Sequence, residues 1–223
     1  MLKDRLYTTP AAGRPRRSAQ TALWHVAEAM VRWLAPILSF TAEEIWRFLP
    51  KVAGRPESVF LAEWHVLPAD AALDGEAAPP AAAGGVAPAI DWEAVIALKA
   101  DVARELERLR TEGRIGAPLE ALVDVWCEAA ERGRLGGLGD ELRFVLITSG
   151  ARVRDAADRP ADAVPAASVA KEGVWISVTP STAPKCARCW HLREDVGSNP
   201  AHPEICGRCV TNVEGPGEQR RFA

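Results

Sequence analysis

With 223 residues, 48% hydrophobic and 26% charged, the chain has the balance of a soluble globular protein with room for one or two domains. A net charge of −3 excludes a protein that coats nucleic acid indiscriminately, since such binding draws its affinity from many basic contacts to phosphate. Charges such as Arg32, Glu43 and Glu44 interrupt the apolar stretches before any reaches the roughly 20 residues of a membrane span, and residues 1–20 hold no signal-peptide core, so a cytoplasmic protein with no membrane partner is expected.

Positive charge gathers at the start. Among the first 35 residues Lys3, Arg5, Arg14, Arg16, Arg17 and Arg32 are opposed only by Asp4 and Glu28. From Ser18 to Ala35 the apolar residues Leu23, Val26, Ala27, Met30, Val31 and Leu34 recur at three- and four-residue steps, which predicts an amphipathic helix that Pro36 interrupts. Thr41-Ala-Glu-Glu44 reads as a capping box and predicts a second helix over 42–49. Residues 68–89 are almost wholly Ala, Pro and Gly and read as a linker, because they offer too little large apolar surface to offset the entropy of ordering.

Asp91 is the N-cap of a third predicted helix, with Trp92, Val95, Leu98, Val102, Leu106 and Leu109 on one face and Gly113 as its stop. Strand character follows at 119–127, 144–153 and 174–179, with a short helix at 139–144 and an Ala- and Asp-rich loop at 155–172.

Four of the five cysteines form two pairs, Cys186-Ala-Arg-Cys189 and, sixteen residues on, Cys206-Gly-Arg-Cys209. Without a secretory signal this spacing points to metal rather than disulfides. Two such knuckles set four thiolates around one tetrahedral Zn²⁺ at about 2.3 Å and leave no position for water, so the site is structural. His191 and His202 are near enough in sequence to replace one cysteine, and four unmetallated thiols are the bland alternative. Lys185, Arg188, Arg193 and Arg208 flank the ligands; they either offset the negative charge of the centre or meet phosphate, and the residues leave both open. Trp190, directly after Cys189, either stacks on unpaired bases or covers the zinc module. Cys127, among Val123, Val125 and Trp126, reads as a buried small hydrophobe. No phosphate loop, His-Glu-x-x-His or Gly-x-Ser-x-Gly pattern is present.

Lys3-Asp-Arg-Leu-Tyr7, Arg16-Arg-Ser-Ala-Gln-Thr-Ala-Leu-Trp24 and Leu34-Ala-Pro-Ile-Leu-Ser-Phe-Thr-Ala-Glu-Glu-Ile-Trp46 resemble the helical anticodon-binding domain of class I synthetases for branched aliphatic amino acids. Lys185-Cys-Ala-Arg-Cys-Trp-His191 and Cys206-Gly-Arg-Cys-Val210 are similar to the C-terminal zinc module of bacterial isoleucyl-tRNA synthetases. Leu106-Glu-Arg-Leu-Arg110 and Gly113–Ala121 resemble the segment that family places between them. The resemblance implies an α+β chain: a partial helical anticodon-binding bundle over 1–67, the linker 68–89, a long helix plus small α/β unit over 90–180, and a four-cysteine zinc-knuckle module over 181–223.

It further implies a monomer that binds tRNA(Ile) at the anticodon stem-loop, carries one structural Zn²⁺ on Cys186, Cys189, Cys206 and Cys209, and meets RNA through Arg14, Arg16, Arg17, Arg188, Trp190 and Arg208. DNA is not an expected partner. The His-Ile-Gly-His and Lys-Met-Ser-Lys-Ser signatures of the family's catalytic core are missing, as is its editing domain, so the chain reads as a fragment with no catalytic residues. ATP-dependent attachment of isoleucine is then a property of the full-length enzyme alone. The linker is longer than the family's usual connection, which leaves domain placement open. Two other readings stand beside this one: a zinc-stabilised interaction module with no nucleic-acid role, and a DNA-glycosylase-like zinc-finger protein. The glycosylases use an N-terminal Pro-Glu, whereas this chain starts Met1-Leu2-Lys3.

Overall fold

The computed structural model describes residues 2–66, 90–169 and 173–222. The predicted linker at 68–89 lies outside them. Helices α1 (Leu2–Thr8), α2 (Arg14–Leu34) and α3 (Ser39–Phe48) come first. Then follow α4 (Trp92–Thr111), β1 (Ala121–Cys127), α5 (Ala129–Gly136), α6 (Leu142–Leu146), β2 (Gly150–Asp155), β3 (Val164–Pro165), β4 (Val174–Pro180) and α7 (Gly207–Val213). The chain divides into two compact units, Arg14–Pro79 on the one hand and Met1–Gly13 with Pro80–Ala223 on the other.

In the smaller unit α2 and α3 close over a core of Val31, Ala35, Ala42, Trp46 and Val59. Glu28 is buried beside it, and the charge is compensated by Arg32 at 2.6 Å and by Arg55, whose guanidiniums both lie over the Trp46 ring. An uncompensated carboxylate there would cost several kcal/mol, on the order of 3–5. The capping box does not form. Helix α3 begins at Ser39, which puts Thr41 inside the first turn rather than at the N-cap, while the neighbouring Glu43 accepts from Ser58 Oγ at 2.8 Å and Val59 N at 3.1 Å. Those bonds close the 58–59 loop over the core. Ile37, Phe40, Phe48 and Trp64 remain exposed, so much of this unit's apolar surface has no partner within it.

The larger unit is built on α4 and a four-stranded sheet of order β2-β1-β4-β3. Asp91 Oδ1 accepts from Ala94 N at 3.0 Å and caps α4 as its position predicts; Gly113, at φ +71, ends the helix in a backbone conformation few other residues adopt. Val95, Leu98, Val102 and Leu109 of α4 are fully buried, each contributing roughly 1.5–3 kcal/mol by leaving water. Strand β1 runs parallel to β2 and antiparallel to β4. Because alternate strand residues face opposite ways, Ala121, Val123, Val125, Cys127, Ala151, Val174 and Ile176 enter the core with α4, α5 and α6. Leu122, Asp124, Trp126, Arg152, Arg154, Trp175 and Ser177 line the opposite face.

Three expectations change here. Residues 144–146 belong to α6 rather than to a strand, since Phe144, Val145 and Leu146 are all buried and so short an apolar run carries no period to read. Ile147, left-handed at φ +62, then turns the chain into β2. Helix α5 is an addition to the predicted elements, and β3 pairs Val164 with Ile176 inside the segment read as a loop.

Candidate metal centre

Cys186, Cys189, Cys206 and Cys209 are all buried, and their four sulfurs lie within 4.8 Å of one another. The Cys186–Cys209 and Cys189–Cys206 sulfur pairs are each 3.7 Å apart. That is far beyond a disulfide bond, and it matches the roughly 3.8 Å edge of a tetrahedron with metal–sulfur bonds of about 2.3 Å. The donor set therefore fits a closed, structural zinc site. Cys206 N donates to Cys186 Sγ at 3.3 Å, the kind of amide-to-sulfur bond that stabilises a thiolate ligand. Gly207 N donates instead to Asp195 Oδ2 at 3.1 Å, and a Cβ at Gly207 would lie 3.0 Å from that oxygen. Glycine is there to admit the carboxylate.

Neither histidine joins the cluster. His191 is buried edge-on against Phe144 and its Nδ1 donates to Cys189 O at 3.1 Å; burial, helped by the Arg208 charge, pushes its pKa down to about 4, so the ring is neutral. His202 pairs with Glu214 at 2.7 Å. Burial pushes the Cys127 thiol up to about 11, consistent with a packing role at the end of β1.

The arginines beside the ligands turn toward α1. Arg188 Nη1 donates to Thr8 O at 2.7 Å, with Nη2 3.4 Å from Tyr7 O, and so caps carbonyls at the end of that helix while standing 3.9 Å from Cys209 Sγ. Arg208 grips both carboxylate oxygens of Asp4, at 2.9 and 3.1 Å, and Arg220 bonds the same carboxylate. Glu218 accepts from Arg208, Arg220 and Asn212, and the ring of Phe144 lies against both guanidiniums. Burial alone would raise the Asp4 pKa, but the hydrogen bonds and charges of Arg208 and Arg220 outweigh it and hold the carboxyl well below the usual range. Asp4, Glu218 and Arg220 are not evident in the sequence as partners of this site, because Asp4 lies about 200 residues from the others and no local spacing reports such a pairing.

Trp190 is 62% exposed, left-handed at φ +65, with Lys185 Nζ 6.0 Å from its ring centre. Arg14, Arg16 and Arg17 occupy the first turn of α2, which contains no acidic residue. No helix among the described residues is long and apolar enough to cross a membrane.

Comparison with known proteins agrees with this geometry. Residues 1–125 match the anticodon-binding domain of tRNA ligase, and residues 184–212 match the zinc finger found in FPG and IleRS. Proteins named isoleucine–tRNA ligase from Nitrosococcus oceani and Halorhodospira halophila are each 52% identical to the chain, and one from Pseudomonas paraeruginosa is 51% identical. These alignments take in 100% of this chain but 22% of each relative, so the chain spans about a fifth of the length of the curated relatives it matches. The glycosylase-like reading accounts for the zinc finger alone and leaves the match over residues 1–125 unexplained. With more than half its length matched and the four ligands in place, the chain belongs to the anticodon-binding domain family of tRNA ligases and carries that zinc finger.

Proposed function

We propose that the chain is the part of an isoleucine–tRNA ligase that holds tRNA(Ile) by its anticodon stem-loop. The observation that carries this is the 52% identity that runs through both the helical segment and the zinc finger. Two features supply the chemistry. Three arginines at the N-terminus of α2 oppose the helix dipole, an arrangement that costs helix stability unless an anion is drawn there. Trp190 offers an indole face to unpaired bases. Arg188 and Arg208 act on the RNA through α1, whose position they hold. ATP binding and attachment of isoleucine belong to the longer protein, which works in the cytoplasm as a monomer.

Filter binding of tRNA(Ile) to the 223-residue chain, with a transcript whose anticodon is replaced as comparison, tests this. Salt-dependent binding that weakens on anticodon replacement is expected, and replacing Arg14, Arg16 and Arg17 together by Gln should lower both affinity and salt slope. Equal affinity for the two transcripts overturns the assignment.

A further inference from the structure

The sheet has a second face that the zinc site does not use. Register places Trp126 of β1 opposite Trp175 of β4 and beside Arg154 of β2, and one step along it aligns Arg152, Asp124 and Ser177. The Trp126 indole Nε1 donates to Ser177 Oγ at 3.0 Å, which pins the ring across to the neighbouring strand. Arg154 lies 5.6 Å from the Trp126 ring centre and bonds Asp124 at 2.6 Å; Arg159, from the turn after β2, lies 4.2 Å from that of Trp175.

Charge on this face is unbalanced. Three guanidiniums meet one strand carboxylate, Asp124, in a protein whose net charge is −3. Asp155 has the alignment of the core-side residues and is taken by Arg132 of α5. Asp158 and Asp162 follow in the turn, and neither is ion-paired to these arginines among the described residues. Arg152 is exposed at the edge strand and has no ion pair among the described residues. Guanidiniums stacked on indoles lose little freedom when their outer N–H groups take a new acceptor. The face also continues toward the zinc finger. A cavity of about 280 Å³ at the β2 edge is lined by Leu122, Gly150 and Arg152 together with Leu192 and Arg193, which follow directly on Trp190-His191. It also holds the carboxylates of Asp140, Glu194 and Asp195, of which Asp140 is ion-paired to Arg143 and Asp195 to Arg193, so among the described residues the unpaired positive charge lies on the strand side.

We propose that this face is a second RNA-backbone site, in which Arg152, Arg154 and Arg159 take phosphates of the tRNA stem while the zinc finger meets the loop. The proposal rests on the tRNA reading above. Phosphodiester is the occupant that the pattern favours: the donors are guanidiniums at a spacing of strands, and the indoles already carry arginines rather than open faces for bases.

The test is filter binding of tRNA(Ile) at several salt concentrations to the full chain and to a variant carrying Arg152→Gln and Arg159→Gln, with zinc content and thermal melting measured alongside. The variant should keep zinc and fold, bind about tenfold more weakly, and show a salt slope lower by roughly one to two, the number of phosphate contacts removed. A second variant with Lys at both positions keeps the charge and should keep the slope. If the parent binds and the Gln variant matches it in affinity and slope, this proposal fails alone. If the Lys variant loses as much slope as the Gln variant, the phosphate assignment fails. A parent that does not bind tRNA overturns both readings.

Discussion

Trp190 sits in a left-handed conformation that costs a residue with a side chain roughly 1–2 kcal/mol, and 62% of it is exposed. The knuckle turn holds it there: Trp190 N donates to Cys186 O and Cys186 N to His191 O, both at 2.9 Å, so the backbone strain belongs to the metal-binding turn while the indole itself is left exposed. Stability and binding should therefore separate. Trp190→Gly is expected to melt above Trp190→Ala by the equivalent of about 1 kcal/mol, because glycine accepts the positive φ that alanine resists. Both variants should retain metal, and both should bind tRNA about tenfold more weakly than the parent, a loss of ~1.4 kcal/mol. Equal melting of the two variants would contradict the strain; unchanged tRNA affinity would contradict the stacking. The residues that could be read from sequence at this scale are those whose chemistry is local. The two Cys-x-x-Cys pairs fix a coordination number and a spacing, and the structure gathers those four sulfurs. The choice between charge balance and phosphate for Arg188 and Arg208 could not be read, because it depends on Asp4 and Thr8, which are brought to them only by folding.

Among the elements, α4 was legible and α1 was not, and the reason is length. Twenty residues give α4 five turns of periodic burial, a cap at Asp91 and a glycine stop. Seven residues give α1 less than the length at which a helix holds itself together, so it depends on tertiary contacts. Those contacts are the Arg188 caps and the Asp4 cluster. Asp4→Asn keeps the shape of the side chain but removes the charge that Arg208 and Arg220 share, and the expected loss is about 2–3 kcal/mol at pH 7. The pH dependence has a definite sign. A carboxyl whose folded pKa is depressed stabilises fully above its unfolded value of about 3.9, and that contribution drains away as pH falls below it. Stability of the parent should thus fall more steeply than that of Asp4→Asn below about pH 4, by up to one proton's worth, ~1.4 kcal/mol per pH unit. Denaturant melts of the two proteins between pH 3 and 7 give the difference directly, with any effect common to both cancelling. Parallel curves would show that Asp4 is not the titrating group.

On the scale of the whole molecule, the two units keep separate accounts of what orders them. The smaller has its own core at Val31, Ala35, Ala42, Trp46 and Val59, with no cysteine in it. The larger has one core on the sheet and a second cluster made of the four ligands with Val196 and Ile205. So few apolar residues cannot order the finger alone, and metal binding must supply the difference; for structural zinc sites this is roughly 10–16 kcal/mol. Because Arg188 and Arg208 stand next to the ligands Cys189 and Cys209, the same metal should also hold α1, which lies about 180 to 200 residues earlier in the chain. Metal analysis of the purified chain is expected to give one zinc per molecule, and chelation should be read by amide hydrogen exchange. Protection should be lost across α7 and the two knuckles and, with them, across Leu2–Thr8, while α4 and β1 keep theirs because Leu98, Val102, Val123 and Val125 are buried in the sheet's core. Helices α2 and α3 should be unaffected. Retained protection of α1 in the zinc-free chain would show that its docking is independent of the metal, and loss of α4 together with α1 would show that the larger unit unfolds as a single cooperative body.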